Sequence, residues 1–464
     1  MSDPLDGLFK PQSVAFVGAS SNPAKLSHTA MKNMKGGKFR LYPVNPKADR
    51  ILGLRCYPSV REIPHSVDLA IIALPAQMSV EPVRESAERG VKVVVVTSSG
   101  FRETGPAGAK LERGLLDSVR GSETRILGPN TMGVFVPSIG LDTYFISKER
   151  SGRPRSGTIA MLSQSGAVSI SFLERAADSN VGISACVGLG NKCDINENDL
   201  LEYLLGHAPT RCVAMYLESL AEGRKFMELS RRVSKAKPLV VLKSGRTSAG
   251  ARAAASHTGA LAGATDAVVK GAFKQAGITR AFDEEELMDL SKALAHVGSI
   301  RGDRLCVVAS AGGYGVIASD LVESEERGAG MRMAALSPET RSTIKGLIPD
   351  YGSASNPVDL TAGVTDEMYE GVLRALQDDK NVDAIMMSLE LQPPLITRRL
   401  VKIAESRSRA EWAPIVVCGF GERKTPEILR ELEKHNVPAY PTLWRSVRAL
   451  RALADRGAYL KRVK

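Results

Sequence analysis

Short apolar runs recur along the whole chain, each ending in a small-residue turn and followed by a stretch with helical spacing. Ser13-Val14-Ala15-Phe16-Val17 runs into Gly18-Ala19-Ser20, and helical spacing follows over 27–35. Residues 40–45, 68–74, 92–97 and 124–127 repeat the strand pattern, with helices predicted over 79–89 and 107–119. A second series opens at Gly157-Thr158-Ile159-Ala160-Met161-Leu162 and turns at Ser163-Gln164-Ser165-Gly166. Its strands fall at 183–187, 212–217 and 238–242, and its helices at 166–178, 198–205, 224–233, 264–275 and 284–296. A third series opens at Leu305-Cys306-Val307-Val308-Ala309, turns at Ser310-Ala311-Gly312-Gly313-Tyr314-Gly315, and continues with strands at 384–389 and 415–417. Its helices fall from the turn to about 325 and at 366–377, 395–406, 426–434 and 443–454.

Continuous apolar runs alternating with helices predict parallel sheets covered on both faces. Turn-rich charged segments at 148–156 and 299–304 separate the series. The fold predicted is α/β, with three consecutive Rossmann-like or flavodoxin-like doubly wound parallel-sheet domains over 1–147, 157–297 and 303–464.

In such sheets ligands lie outside the C-terminal ends of the strands. The strand ends of the first series are Gly18-Ala19-Ser20, Asn45-Pro46-Lys47, Pro75-Ala76, Ser98-Ser99-Gly100-Phe101 and Gly128-Pro129-Asn130. A glycine turn before a helix N-terminus suits a phosphate, and Lys47 supplies a cation for one. A nicotinamide dinucleotide site wants an acidic residue where Asn45-Pro46-Lys47 stands, and a lysine there suits a phosphate better than a ribose diol. In the second series the hydroxyls of Ser163 and Ser165 and the helix start at Gly166 form an anion site. Glu218 follows the strand 212–217 directly.

The strand 238–242 delivers a long loop, KSGRTSAGARAAASHTGALAG over 243–263, whose one large apolar side chain is Leu261. Ordering such a loop is costly, and loops of this kind carry function more often than structure. It presents one imidazole, His257, between Ser256 and Thr258, with Arg246 and Arg252 upstream.

Composition narrows the possibilities. Of the 464 residues, 43% are hydrophobic and 24% charged, and no apolar run nears the roughly 18 residues of a membrane span. The first 30 residues lack a basic segment followed by an apolar one, so no secretory signal is expected. Six cysteines without a C-x-x-C pair fit a reduced cytoplasmic protein with no zinc site. The net charge of +11 is spread along the chain with few aromatics, which suits small polyanions and argues against nucleic acid.

Ser256-His257-Thr258-Gly259-Ala260-Leu261-Ala262-Gly263, with the alanine run before it, closely resembles the phosphohistidine loop of ADP-forming acyl-CoA synthetases, relatives of succinyl-CoA synthetase. V-G-A-S, Y-P-V-N-P-K, the proline after the third strand, S-S-G-F and G-P-N resemble that family's CoA-binding domain. The resemblance implies an alpha subunit that interconverts acyl-CoA, ADP and phosphate with acid, CoA and ATP. In its terms His257 is the phosphorylated nucleophile and Glu218 the carboxylate that orients it. Ser163, Ser165 and Gly166 hold the phosphoryl group, and Gly18, Ala19, Ser20, Lys47, Pro75, Ser99 and Asn130 line the CoA site. One departure is Thr131, where relatives often carry cysteine after G-P-N; it puts a thiol role there in doubt. Thr131, Tyr144 and Phe145 are candidates for an acyl pocket.

No G-x-x-x-x-G-K-[ST] loop and no ATP-grasp segment is found, so ATP or ADP and Mg²⁺ are expected on a separate ATP-grasp beta subunit in a hetero-oligomer. The A-G-G-x-G turn resembles the family's ligase-like domain, whose implied role is mostly subunit contact. The alternative from another class is a non-catalytic subunit that binds CoA or acyl-CoA.

Overall fold

All five residues of the strand Ser13–Val17 are buried: a parallel strand flanks it on either edge, and crossover helices cover both faces of such a sheet. A strand in that position has no solvated face, which is why its sequence is a continuous apolar run without alternation. The computed structural model describes residues 3–252, 265–325, 329–391, 393, 395–408, 412–421 and 423–464. They form two compact units, one of Met1–Ala177 with Gly182–Glu284 and the other of Asp178–Val181 with Glu285–Lys464.

The first unit holds two large sheets. One runs Arg40–Val44, Ser13–Val17, Leu69–Ile72, Val93–Val96, Arg125–Leu127, all parallel. Numbered in chain order this is 2-1-3-4-5, the flavodoxin-like order. The other runs Ile278–Ala281, Leu239–Lys243, Cys212–Leu217, Ser156–Ser163, Ile183–Gly188, then Val134–Val136 and Leu141–Asp142. Its first five strands are parallel and repeat the same order read from the other end. Its last two are antiparallel additions beside Ile183–Gly188. Residues 134–142 carry no strand in the sequence reading, where they fall within 1–147; the structure pairs them with the second sheet. Two strands of two and three residues around Pro137 show no periodicity to read.

The second unit repeats the plan. Arg332–Met333, Arg304–Ala309, Ala384–Glu390, Ile415–Phe420 and Ala439–Tyr440 are parallel, again in the order 2-1-3-4-5, and Val358–Asp359 pairs with Arg304–Ala309 beyond that path. The doubly wound α/β fold expected from the apolar runs is thus the fold observed. Each sheet carries an apolar core from side chains such as Phe16 and Leu162 in the first unit and Val308 and Met387 in the second. Among the described residues no helix is long and apolar enough to cross a membrane.

In a 2-1-3-4-5 sheet the connections leave strands 1 and 3 in opposite directions, and the crevice at their C-terminal ends is the expected ligand position. In the first sheet that crevice lies between Gly18 and Ala73-Leu74-Pro75. In the second it lies between Ser163 and Glu218.

Candidate active site

At the first crevice Gly18 has φ +88°, and a Cβ there would stand 2.5 Å from the Ala73 carbonyl oxygen. Only glycine lets the two strands close at this point. The Ala19 carbonyl accepts a hydrogen bond from Asn45 Nδ2 at 2.7 Å, and the Asn45 side chain in turn accepts from the Lys47 amide at 2.9 Å. The first two strand ends are therefore one hydrogen-bonded rim. Ser20 Oγ accepts from the Asn22 amide at 3.1 Å, and its carbonyl lies 2.9 Å from His28 Nδ1. Lys47 is exposed on this rim. Pro75 precedes the helix Ala76–Glu88. Ser98 Oγ donates to the Leu74 carbonyl, and the Asn130 amide donates to the Ser98 carbonyl at 2.8 Å. Ser99 and Asn130 are both exposed. All seven residues expected to line the CoA site stand along one sheet edge.

At the second crevice the sheet register sets Ser163 opposite Tyr216 and Gly188, and Leu217 opposite Lys243. Ser163 Oγ donates to the Ser165 carbonyl at 2.6 Å and accepts from the Ser165 amide at 3.2 Å. That hydroxyl shapes the turn. Ser165 Oγ accepts from the Val168 amide at 3.4 Å, and the helix Gly166–Asp178 starts there, leaving its first amides without carbonyl partners. A Cβ on Gly166 would meet Met132 Cγ at 2.8 Å, so the helix start packs tightly on the 131–133 turn.

Gln164 joins the two sides of this crevice. Its Oε1 accepts from the amides of Glu218 at 2.9 Å and Ser219 at 3.1 Å, and its Nε2 donates to Ser219 Oγ at 3.0 Å. Glu218 Oε1 accepts from the Tyr216 hydroxyl at 3.3 Å, and the same hydroxyl lies 3.3 Å from Ser244 Oγ. Lys243 Nζ donates to the carbonyls of Glu218 and Ser244, both at 2.7 Å. Burial lowers the Lys243 pKa, against the opposing pull of Glu218. These bonds fix the Glu218 turn between the 163–166 turn and the strand that leads into the loop. Past the strand, Arg246 lies over the Phe282 ring at 4.4 Å and 3.4 Å from Asp266. His257 lies outside the described residues.

Sequence reasoning singled out Glu218 and the serines but gave no role to Gln164, Lys243, Asn191 or Lys192. None has a periodic signal; each adjoins a strand end. The candidates for an acyl pocket all sit inside the fold. Tyr144 is fully buried with its hydroxyl 3.3 Å from Cys186 Sγ, and the buried Thr131 donates to the Gly188 carbonyl at 2.7 Å. Phe145 is half-buried against the core. The six cysteines are unbridged, and burial pushes the Cys186 thiol up to about 12, far from a ready nucleophile. Among the described residues no cluster of His, Cys, Asp and Glu could hold a metal ion.

Residues 12–137 match the family described as CoA binding domain, 156–294 the succinyl-CoA ligase like flavodoxin domain, and 305–456 the ligase-CoA domain. The chain is 37% identical to the alpha subunit of ADP-forming acetate–CoA ligase I from Pyrococcus furiosus, over 97% of each chain. A solved structure from Ca. Korarchaeum cryptofilum, described as dinucleotide forming acetyl-coenzyme A synthetase 1 with phosphate and ADP, superposes with TM-score 0.90 at 34% identity. That match covers 100% of this chain and 99% of the other. The chain belongs to the ADP-forming acyl-CoA ligase family. It also matches single-chain members: against ADP-forming acetate–CoA ligase I from Archaeoglobus fulgidus it is 37% identical but spans only 64% of that protein. The Pyrococcus furiosus alpha subunit is thus nearly coextensive with this chain, whereas the Archaeoglobus fulgidus protein is longer than the shared part.

Proposed function

We propose that this chain is the alpha subunit of an ADP-forming acyl-CoA synthetase for a small organic acid, working with an ATP-grasp beta subunit that holds the nucleotide and Mg²⁺. The observation that carries the proposal is the second crevice. A helix start, a carboxylate and the strand leading into the histidine loop converge at the switch point of one sheet, cross-linked by Gln164. In the first step a phosphate oxygen attacks the thioester carbonyl. The C–O bond forms, the C–S bond breaks, and its electron pair leaves on the thiolate of CoA. The amides at Gly166 oppose the charge of the phosphate. His257 then takes the phosphoryl group from the acyl phosphate, releasing the acid, and passes it to ADP. Glu218 orients the imidazole and balances the charge it gains. Mg²⁺ bound with the nucleotide on the partner would neutralise its phosphates.

The first crevice fits CoA. It offers a glycine turn at 18–20, an exposed cation in Lys47 and a rim held by Asn45. The test is to purify the tagged chain from its native host with any partner, add Mg²⁺ and γ-labelled ATP, and seek acid-labile, base-stable label. Label on the wild type and none on His257→Ala is expected. A co-purified ATP-grasp partner without label would overturn the catalytic reading in favour of a CoA-binding subunit.

A further inference from the structure

The two crevices of the first unit meet at a segment that the proposed mechanism leaves unused. The strand Ile183–Gly188 runs out into Leu189-Gly190-Asn191-Lys192, and this turn lies against Gly128-Pro129-Asn130 of the first sheet's edge. The Asn191 amide donates to the Pro129 carbonyl at 2.8 Å, and the Cys193 amide to the Gly128 carbonyl at 3.0 Å. Contact is so close that a Cβ on Gly190 would stand 2.2 Å from the Pro129 oxygen. Left-handed backbone gathers on both sides: Gly128 at φ +102° and Asn130 at +59° face Gly190 and Lys192, both at +56°. Of these only Lys192 is an unusual occupant of that conformation, and such residues persist where the surroundings hold them and cluster at functional sites.

From this turn two side chains reach in opposite directions. Asn191 Nδ2 donates to Glu103 Oε2 at 2.7 Å and Glu112 Oε2 at 2.9 Å, and Glu103 Oε1 accepts from the amides of Gly100 at 2.6 Å and Phe101 at 3.1 Å. Asn191 is therefore tied to the S-S-G-F rim of the CoA crevice. Lys192 Nζ turns toward the other crevice. It donates to Glu197 Oε2 at 3.0 Å and to the Ser219 carbonyl at 2.9 Å, while Glu197 Oε1 accepts from the Ala221 amide at 2.6 Å. The Lys192 side chain is 3% exposed and that of Glu197 is fully buried. A residue other than glycine rarely takes a left-handed backbone, and lysine is almost never fully buried unless it is paired. A neutral residue or glycine would satisfy a merely structural turn at lower cost. What the lysine adds is a cationic link to the turn that carries Glu218.

Resting on the proposed function, we propose that Asn191-Lys192 is a positioning strap that holds the CoA crevice in register with the phosphate crevice, and that Lys192 acts on acyl transfer between them without touching substrate. The step affected is the one that needs both crevices together. A phosphate oxygen must meet the carbonyl carbon of a thioester whose CoA is held on the other sheet edge, and the thiolate must leave with the C–S electron pair. Small misplacements of such a pair are costly in rate. Binding of CoA alone needs only the first crevice. Phosphorylation of His257 by an acyl phosphate needs only the second, where Gln164 independently holds the Glu218 turn.

The experiment compares wild type, Lys192→Met, Lys192→Arg and Asn191→Ser, each purified with its partner, in three assays. Calorimetry gives the CoA Kd. Arsenate-dependent thiol release from acetyl-CoA and longer acyl-CoAs reads the first step, because arsenate replaces phosphate and the acyl arsenate hydrolyses. Labelling by ³²P-acetyl phosphate reads the histidine step. Lys192→Met is expected to slow arsenolysis about 100-fold, with Kd and labelling within about two-fold of wild type, and Lys192→Arg to recover most of the rate. Asn191→Ser, which keeps the lysine, is expected to show the same split and serves if Lys192→Met does not fold. Unchanged arsenolysis in a folded variant overturns the strap, as does a parallel loss in all three assays. A wild type inert in arsenolysis toward every acyl-CoA overturns the proposed function instead.

Discussion

Replacing Gln164 tests the second crevice directly. Gln164→Leu keeps the bulk of the side chain but removes the acceptor for the Glu218 and Ser219 amides and the donor to Ser219 Oγ. A donor left unsatisfied in the interior costs about 1–3 kcal/mol. The turn is half-buried and water reaches part of it, so the lower end applies, about 2 kcal/mol for the two amides together. In a domain of this size that lowers Tm by roughly 4–8 °C. The kinetic effect is larger, because a Glu218 turn free to drift by about 1 Å costs about 100-fold in rate, or about 2.7 kcal/mol of barrier. Gln164→Glu separates the two effects. It retains the acceptor and so a Tm close to wild type, but it sets a second negative charge beside Glu218 and the phosphate site, and is expected to slow turnover about ten-fold. ATP formation from acyl-CoA, ADP and phosphate, followed with the chain and its partner by a coupled assay, reads the rate; thermal unfolding reads the stability. Wild-type turnover in Gln164→Leu would refute the argument that this residue holds the site together, whatever its Tm.

The first crevice and its rim give three more expectations. Gly18→Ala places a Cβ 2.5 Å from the Ala73 carbonyl at a φ of +88°, so calorimetry should show CoA affinity reduced at least about 100-fold by strain at the strand end. Lys47→Ala removes an exposed cation from the rim and should weaken CoA about ten-fold at low salt, with the difference shrinking as salt rises; equal affinities at low salt would exclude a phosphate contact. Burial alone would raise the Glu103 carboxyl, but hydrogen bonds from Asn191 and the amides of Gly100 and Phe101 outweigh it and hold the carboxyl below its usual range. A depressed carboxyl stabilises the fold fully above the unfolded value, about 4.3, and loses that contribution as pH falls through its folded value. Thermal unfolding from pH 3 to 6 should therefore show wild type losing its advantage over Glu103→Gln below about pH 4.3, and a pH-independent gap would contradict the assignment.

The architecture was largely legible because its central strands are buried on both faces. Runs such as Val93–Val96 and Cys212–Leu217 are apolar throughout, and the turns after them are rich in glycine, serine and asparagine. What escaped were strands without a pattern of their own. Ile278–Ala281 is half-buried at a sheet edge, and Val134–Val136 with Leu141–Asp142 takes its sheet from pairing with Ile183–Gly188 rather than from alternation. A strand two or three residues long has too few positions to show a period of two.

The site divides along the same line. Residues whose role follows from backbone geometry could be read from sequence: Gly18 because a turn at positive φ needs glycine, and Gly166 because a helix must begin somewhere after Ser163-Gln164-Ser165. Residues whose role is to hold another residue could not. Gln164 sits inside a motif whose serines draw the attention, yet it makes the bonds that join two strand ends 54 positions apart in sequence. Lys192 looks like one more surface cation in a basic chain, and only the fold buries it against Glu197 and Ser219. Thr131 makes the same point from the other side. Its place after G-P-N invites, by resemblance, a reading in terms of a thiol, but its hydroxyl donates to the Gly188 carbonyl and accepts from the Gly133 amide at 3.0 Å. Either bond is available to a hydroxyl and poorly supplied by a thiol. The threonine therefore fastens the first sheet's edge to the second's, a few residues from Asn191-Lys192. A small hydrophobe at 131 would remove both bonds at the junction of the two sheets.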